Sequence, residues 1–277
     1  MDVEVFDNPR TFCDTALPFL YEAEAENNLL IGISSRLAAA HPPAGHGAFF
    51  WTVRDGDRIC GAAMQTPPHD LVLSHPFPDR ALAALSDSIH QAHFSLPGVL
   101  GPDYAAREFA AKWASTAAVK AELWRRERIY RLQKVEPLPF VSGRIIAAEL
   151  EHVVLLTPWV DGFLQETRES SDTGSVLEAA LAGKRLFVWF DAEPVSMAAW
   201  TGATRNGVRI NTVYTPPHLR RRGYATAVVS VLSSMLLREG KSFCALYTDL
   251  SNPTSNSIYQ RIGYKPILDC FHYRFSR

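Results

Sequence analysis

Arg220-Arg221-Arg222-Gly223-Tyr224-Ala225-Thr226 is the stretch on which the reading of this chain turns. An apolar run, Val208-Arg209-Ile210-Asn211-Thr212-Val213-Tyr214, leads to it through Thr215-Pro216-Pro217-His218-Leu219. The run has strand character and the proline pair ends it. Val228, Val231, Leu232, Met235 and Leu236 then recur at helical spacing, and Gly240 is a fitting cap, which predicts a helix over 223–239. A helix start carries unpaired N–H groups and the positive end of the dipole. Gly223 and Ala225 keep bulk away, so an anion can approach the backbone. Three guanidinium groups add charge and bidentate donors. By itself the run also reads as a solvated basic loop before a core helix. The GxxxxGK[ST] pattern of a P-loop is missing.

A second stretch narrows the choice: Asn252-Pro253-Thr254-Ser255-Asn256-Ser257-Ile258-Tyr259-Gln260-Arg261-Ile262-Gly263-Tyr264. Asn252 is a good N-cap, Pro253 a good first helical residue, and Gly263 a fitting C-terminal cap. Asn256, Tyr259 and Gln260 stand three or four residues apart and share a face. Alone, this is a short, well-capped helix with a half-buried tyrosine.

Taken together and in this order, the two stretches resemble the GNAT (Gcn5-related) N-acetyltransferase superfamily. Arg220-x-x-Gly223-x-Ala225 resembles its Q/R-x-x-G-x-G/A signature, and Asn252…Asn256…Tyr259…Gly263-Tyr264 its N…N…Y-x-x-x-G-F/Y motif. The resemblance covers roughly 186–275. It implies that the backbone of Thr212, Val213 and Tyr214 pairs with the pantetheine arm of acetyl-CoA. It implies that the N–H groups of Arg221, Arg222, Gly223, Tyr224, Ala225 and Thr226 hold the pyrophosphate, with the Arg220 side chain nearby. Asn252 and Asn256 look like the residues that meet the pantetheine and its phosphate end. Tyr259 resembles the general acid, because expulsion of a thiolate calls for a positioned O–H; packing is its plainer role.

The chain departs from the pattern at the general base. Many family members carry a glutamate on the strand before the signature, where this chain has Arg209 and Asn211. Asp249, His218, His41 and His46 are the remaining candidates, together with a water chain. Asp249 reads equally as a turn residue and His218 as a solvated loop residue. Cys244 reads as a small buried strand residue rather than an acyl carrier.

Working outward, the chain has 277 residues, enough for one large domain or two ordinary ones. Phe49-Phe50-Trp51-Thr52-Val53 and Phe187-Val188-Trp189-Phe190 each open a strand–turn–strand unit followed by a further strand, prolines and a helix. This echo, with Pro137 and Pro139 between, predicts an α+β fold: two tandem GNAT-like folds, each a mixed, mostly antiparallel sheet flanked by helices. The expected domains are 1–137, a degenerate copy, and 138–277, the catalytic one. Asp79-Arg80-Ala81-Leu82, the first half's counterpart of the signature, lacks the glycine, so that half is expected to take no acetyl-CoA. In finer detail, 1–37 reads as largely helical and broken by His41–Gly47, 79–93 and 103–118 as helices, and Glu122–Lys134 as a long strand. Val153–Arg168 reads as mixed loop and helix, Ser175–Leu181 as a short helix, 186–190, 194–201 and 242–248 as strands, and Tyr264–Phe275 as a final strand region.

Net charge is -1, which provides no global field for nucleic acid or an anionic membrane. No apolar run approaches the roughly 20 residues of a bilayer span, and Met1–Pro9 has no signal-peptide pattern. Cys13, Cys60, Cys244 and Cys270 are scattered, with no metal spacing, so reduced thiols in the cytoplasm are expected and no metal. The implied activity is transfer of an acetyl group from acetyl-CoA, a cosubstrate, to a primary amine of a small molecule, amino acid or peptide. The alternative is a non-catalytic acyl-CoA-binding or regulatory module, motivated by the missing glutamate. The acceptor pocket is expected around 155–175 and 201–207, with Trp159, Phe163 and Trp200 as candidate lining or core. A fused pair of domains replaces the family's usual dimer, so a monomer is expected.

Overall fold

The computed structural model describes residues 1–40, 47–169 and 171–277. His41 and His46 therefore lie outside the described residues. The chain packs into two compact units. One comprises Met1–Ile129, Tyr247–Asn252 and Pro266–Arg277, the other Tyr130–Leu246 and Pro253–Lys265.

In the first unit, β1 (Asp2–Phe6) pairs antiparallel with β2 (Phe49–Asp55), and β2 with β3 (Arg58–Gln65). Helices α1 (Pro9–Leu20) and α2 (Asn28–Ala39) intervene between β1 and β2. The reading of 1–37 as largely helical is corrected here. Asp2-Val3-Glu4-Val5-Phe6 alternates with period two, a strand pattern hidden beside a strong helix signal. Asn8 starts α1 by accepting the Arg10 N–H through its side chain at 2.9 Å.

β4 (Leu71–Leu73) pairs antiparallel with β3 and parallel with β5 (Gly98–Pro102). α3 (Asp79–Gln91) and α4 (Asp103–Ala117) flank this parallel pair in sequence, and β6 (Lys120–Leu132) leaves the unit at Ile129. α3 buries Ala81, Leu82, Leu85 and Ile89, spaced by three or four, against Trp51, Val53 and Phe109. A second apolar cluster joins Phe12, Leu20 and Ile31 to Phe50 and Met64. The last strand of the chain, β12 (Lys265–Ser276), pairs antiparallel with β5 from Cys270↔Pro102 to Arg274↔Gly98. It brings His272 against Asp70, and Asp269 against Arg128 in a two-point ion pair with Nη2···Oδ2 at 2.8 Å.

The second unit repeats the order. β7 (Arg144–Ala147) pairs antiparallel with β8 (Leu186–Asp191), and β8 with β9 (Glu193–Thr201). Between β7 and β8 stand α5 (Val153–Thr167) and α6 (Thr173–Ala182). α5 is one continuous helix, where mixed loop and helix were expected. Pro158 sits inside it, and buried Leu156, Trp159, Val160, Phe163 and Leu164 hold it to the sheet. That packing outweighs the roughly 3 kcal/mol intrinsic penalty of an interior proline. β10 (Gly207–Tyr214) pairs antiparallel with β9 and parallel with β11 (Phe243–Asp249), with α7 (Tyr224–Arg238) between them in sequence. α8 (Pro253–Ile262) follows. Ala227, Val228, Leu232 and Leu236 of α7 pack with Val208, Ile210 and Leu246, and with Tyr130 and Leu132 from the end of β6. Val231 and Met235, expected in this stripe, are only partly buried. Gly240, at φ +100, ends α7, and Lys241 N–H reaches back to Leu236 C=O at 3.1 Å.

Candidate active site

Two parts of the second unit combine local strain with open backbone. The first is the far end of β10. Its parallel register with β11 covers three pairs, Gly207↔Phe243 to Arg209↔Ala245, while the strand runs on to Tyr214. Its register with β9 shifts between Asn211 and Tyr214, and Thr212 inside that bulge has φ +50. A β-branched residue in the left-handed region is a true outlier. Ser196 Oγ donates to Tyr214 C=O at 3.1 Å and holds the strand end. Tyr214 packs its ring against Gly162 of α5, where any side chain would collide with the phenol.

The second part is the start of α7. Gly223 is its N-cap, at φ +89, and no side chain caps the helix. Arg221 is also left-handed, at φ +65. Seven non-glycine residues have positive φ among the described residues. His93, Ala118, Arg168 and Lys184 follow helix ends, and Ala192 sits in the β8–β9 turn. Thr212 lies in the β10 bulge and Arg221 in the loop before α7. Alternating backbone twists of this kind make concave arrays of N–H groups suited to anions.

The three arginines divide by partner. Arg220 Nε donates to Thr215 C=O at 2.9 Å, its guanidinium pairs with Glu166 on α5, and it lies 5.6 Å over the Tyr214 ring. Its side chain braces the loop. Arg222 stands beside the Tyr224 hydroxyl. Arg221 is exposed and makes no hydrogen bond or ion pair among the described residues. The Tyr224 side chain is buried in the core and donates to Asp191 Oδ2 at 2.8 Å, which holds the phenol above its ordinary pKa. Only the backbone of Tyr224 is therefore placed to meet an anion. Asp191 also accepts from Ser142 Oγ at 3.0 Å, and Val141 Cγ2 lies 3.1 Å from where a Gly223 Cβ would stand. The loop is thus fixed from beneath by the 141–143 segment.

On α8, Tyr259 is half-buried, its ring 5.9 Å from that of Tyr264. Burial pushes its phenol up to about 12, and no hydrogen bond engages its hydroxyl among the described residues. Asn256 and Gln260 do share a face, but both address Tyr130. The Tyr130 hydroxyl donates to Asn256 Oδ1 at 3.1 Å, and Gln260 Nε2 donates to the Tyr130 hydroxyl at 3.1 Å. Pro253 is the first residue of α8, and Asn252 precedes it on the exposed side.

The other candidates fall into structural roles. Asp249 accepts from the backbone and hydroxyl of Ser251, both at 2.7 Å, in a local turn. His218 is exposed. Cys244 is buried, its thiol pushed up to about 12 by burial, so it is no nucleophile at neutral pH. Trp159 and Phe163 belong to the buried α5 cluster, and Trp200 packs on the α7 core.

Residues 189–274 match the FR47-like protein family model. The GNAT acetyltransferase of Colwellia psychrerythraea is 10% identical, with each chain covered over 100% and a TM-score of 0.64. The GCN5-related N-acetyltransferase of Sphaerobacter thermophilus is 14% identical over 98% of this chain and 95% of the other, with a TM-score of 0.63. A tandem GNAT protein from the clavulanic acid biosynthesis pathway is 12% identical over 99% and 98%, with a TM-score of 0.56. No curated protein matches. Residues 189–274 are thus similar to FR47-like proteins, and the whole chain shares the fold of these acetyltransferase structures, the tandem GNAT protein among them. Among the described residues no helix is long and apolar enough to cross a membrane, and no group of three metal-ligating side chains is present.

Proposed function

We propose that the second unit is an N-acetyltransferase that moves an acetyl group from acetyl-CoA to a primary amine of a small molecule, amino acid or peptide. The observation that carries this reading is the pair of left-handed residues, Thr212 in the β10 bulge and Arg221 in the loop, beside a helix start that no side chain caps. In this reading the backbone of Thr212, Val213 and Tyr214 pairs with the pantetheine arm. The N–H groups from Arg221 to Thr226 take the pyrophosphate, Arg221 adds its charge, and Asn252 and Asn256 face the arm. Catalysis lies in 138–277, and the first half takes no donor. The protein acts as a monomer in the cytoplasm.

The thioester supplies an acetyl carbon open to attack. A neutral amine nitrogen bonds to that carbon, the C–S bond breaks with its electron pair staying on sulfur, and the new nitrogen loses one proton to water. Tyr259 serves the departing thiolate. Its phenol, near 12, is fully protonated at neutral pH. An ordinary thiol titrates near 8.5, so full proton transfer from this phenol runs uphill and hydrogen-bond donation is its main contribution.

Thiol release from acetyl-CoA, measured across a panel of amine classes, tests the reading. Release with at least one class is expected. Acetyl-CoA binding without release in any class would instead identify an acyl-CoA-binding module, the reading favoured by Arg209 and Asn211 on β10 where a glutamate would serve as base.

A further inference from the structure

Tyr130 lies two residues before the end of β6 and is fully buried in the core of the second unit. A phenylalanine would fill the same apolar space. The hydroxyl therefore needs its own reason, because a buried O–H without a partner is costly. Both of its hydrogen bonds among the described residues go to α8. It donates to Asn256 Oδ1 and accepts from Gln260 Nε2, each at 3.1 Å. The chain beyond Tyr130 follows the same helix. Lys134 C=O lies 2.9 Å and Leu132 Cδ1 3.2 Å from where a Gly263 Cβ would stand. Glu136 N–H donates to Ile262 C=O at 2.9 Å. Residues 130–136 thus cradle α8 from Asn256 to the glycine that ends it.

The helix depends on this cradle. Among the described residues of α8 only Ile262 is buried, so apolar packing grips it mainly at its C-terminal end. Asn256 and Gln260 stand one turn apart, and one hydroxyl that holds both stops the helix from rolling about its axis. Tyr259 adjoins Gln260 and lies about 60° round the helix from Asn256, at about 100° per residue. Its ring meets Tyr264 edge-on, at 5.9 Å and 67°. With no hydrogen bond of its own among the described residues, its phenol oxygen stands where the roll of α8 puts it.

We propose that Tyr130 is a positioning residue for acetyl transfer: its hydroxyl fixes the roll of α8 and so the place of the Tyr259 phenol. This rests on reading Tyr259 as the group that serves the departing thiolate. Being fully buried, Tyr130 acts on the reaction only through α8.

Turnover of Tyr130→Phe, Tyr259→Phe and the double variant tests this, with acetyl-CoA and the amine class from which the wild type releases thiol fastest. Tyr130→Phe should lower kcat about three- to tenfold, the effect of losing one buried hydrogen bond. KM for acetyl-CoA should stay within about twofold. The double variant should be no slower than Tyr259→Phe, because the phenol through which Tyr130 acts is already gone. Gln260→Ala, at an exposed position where alanine suits a helix, removes one of the two holds and should lower kcat about two- to threefold in the same pattern. In the free protein, hydrogen exchange at Tyr259–Ile262 should quicken about tenfold in Tyr130→Phe and stay unchanged at Val228–Leu232 of α7. Losses that multiply in the double variant would overturn the proposal. So would unaltered exchange on α8, or an unchanged kcat in either folded single variant of the cradle. A wild type that releases no thiol, or a Tyr259→Phe variant as fast as the wild type, would sink the reading of Tyr259 and the proposal with it.

Discussion

At Gly223 the backbone stands at φ +89 and Val141 leaves little room for a side chain. Gly223→Ala should therefore destabilise the chain by about 1–2 kcal/mol whether or not a ligand binds there. Denaturant midpoints would record the loss. Arg221 is a cleaner probe, because it is exposed and already left-handed with a side chain in place. Arg221→Glu should change stability by no more than about 0.5 kcal/mol. It should weaken acetyl-CoA binding roughly tenfold or more, since it replaces a charge-assisted contact with a repulsive one. Unchanged affinity by calorimetry would remove Arg221 from the site. Tyr259→Phe should leave acetyl-CoA affinity intact and lower turnover by about 10–100-fold. It should also change alkaline stability. The folded phenol titrates near 12 against about 10 unfolded, so its stabilising effect is complete below pH 10 and fades as pH rises toward 12. The variant should lose less stability than the wild type across that window. Legibility at this scale followed distance along the chain. The caps and glycines were readable because their reasons are local. Asn256 was legible as one of a polar triad, but its bond to Tyr130, 126 residues away, was not. The ion pair of Arg220 with Glu166, 54 residues away, was hidden in the same way.

At the scale of elements, two of the strands that escaped the sequence reading are counterparts of one another. β1 and β7 each pair antiparallel with the first strand of a hairpin, and each precedes a helix pair. Both hairpins carry a register shift near the turn, at Val53/Arg54 and at Trp189/Phe190. β7 is four residues long and borders a proline-rich stretch, too short for a periodicity to register. β12 was legible as a strand, whereas its partner was not, because alternation reveals faces but not neighbours. Its pairing with β5 leads to a specific expectation. Deleting Pro266–Arg277 removes β5's antiparallel neighbour, His272 from Asp70 and Asp269 from Arg128. Hydrogen exchange should speed up first at Val99–Gly101 and only later at Val208–Ile210. Equal acceleration at both places would count against the grouping of β12 with the first unit.

For the molecule as a whole, the repeated element order was visible in the aromatic echo, and the tandem fold agrees with it. The place where one unit yields to the other was harder to see. Tyr130 and Leu132 are fully buried in the core of the second unit, although they precede the prolines that mark the apparent boundary. A fragment starting at residue 138 loses both. Removing one large buried side chain costs roughly 3–5 kcal/mol, so this fragment should fail to give a cooperative thermal transition, while the full chain gives one.

The position of β12 also orders events during synthesis. Domains generally fold as units, the N-terminal one first, while the ribosome is still adding residues. Here the unit that is translated first lacks one of its sheet strands until Pro266–Arg277 have been made. Its β5 edge stays unsatisfied through most of elongation, exposed to chaperones and to neighbouring nascent chains. Translation that stops before Pro266 releases a protein whose signature loop and α8 are already present but whose oldest half is unfinished. Such a product is marked for proteolysis by its first half, not by the part that is missing.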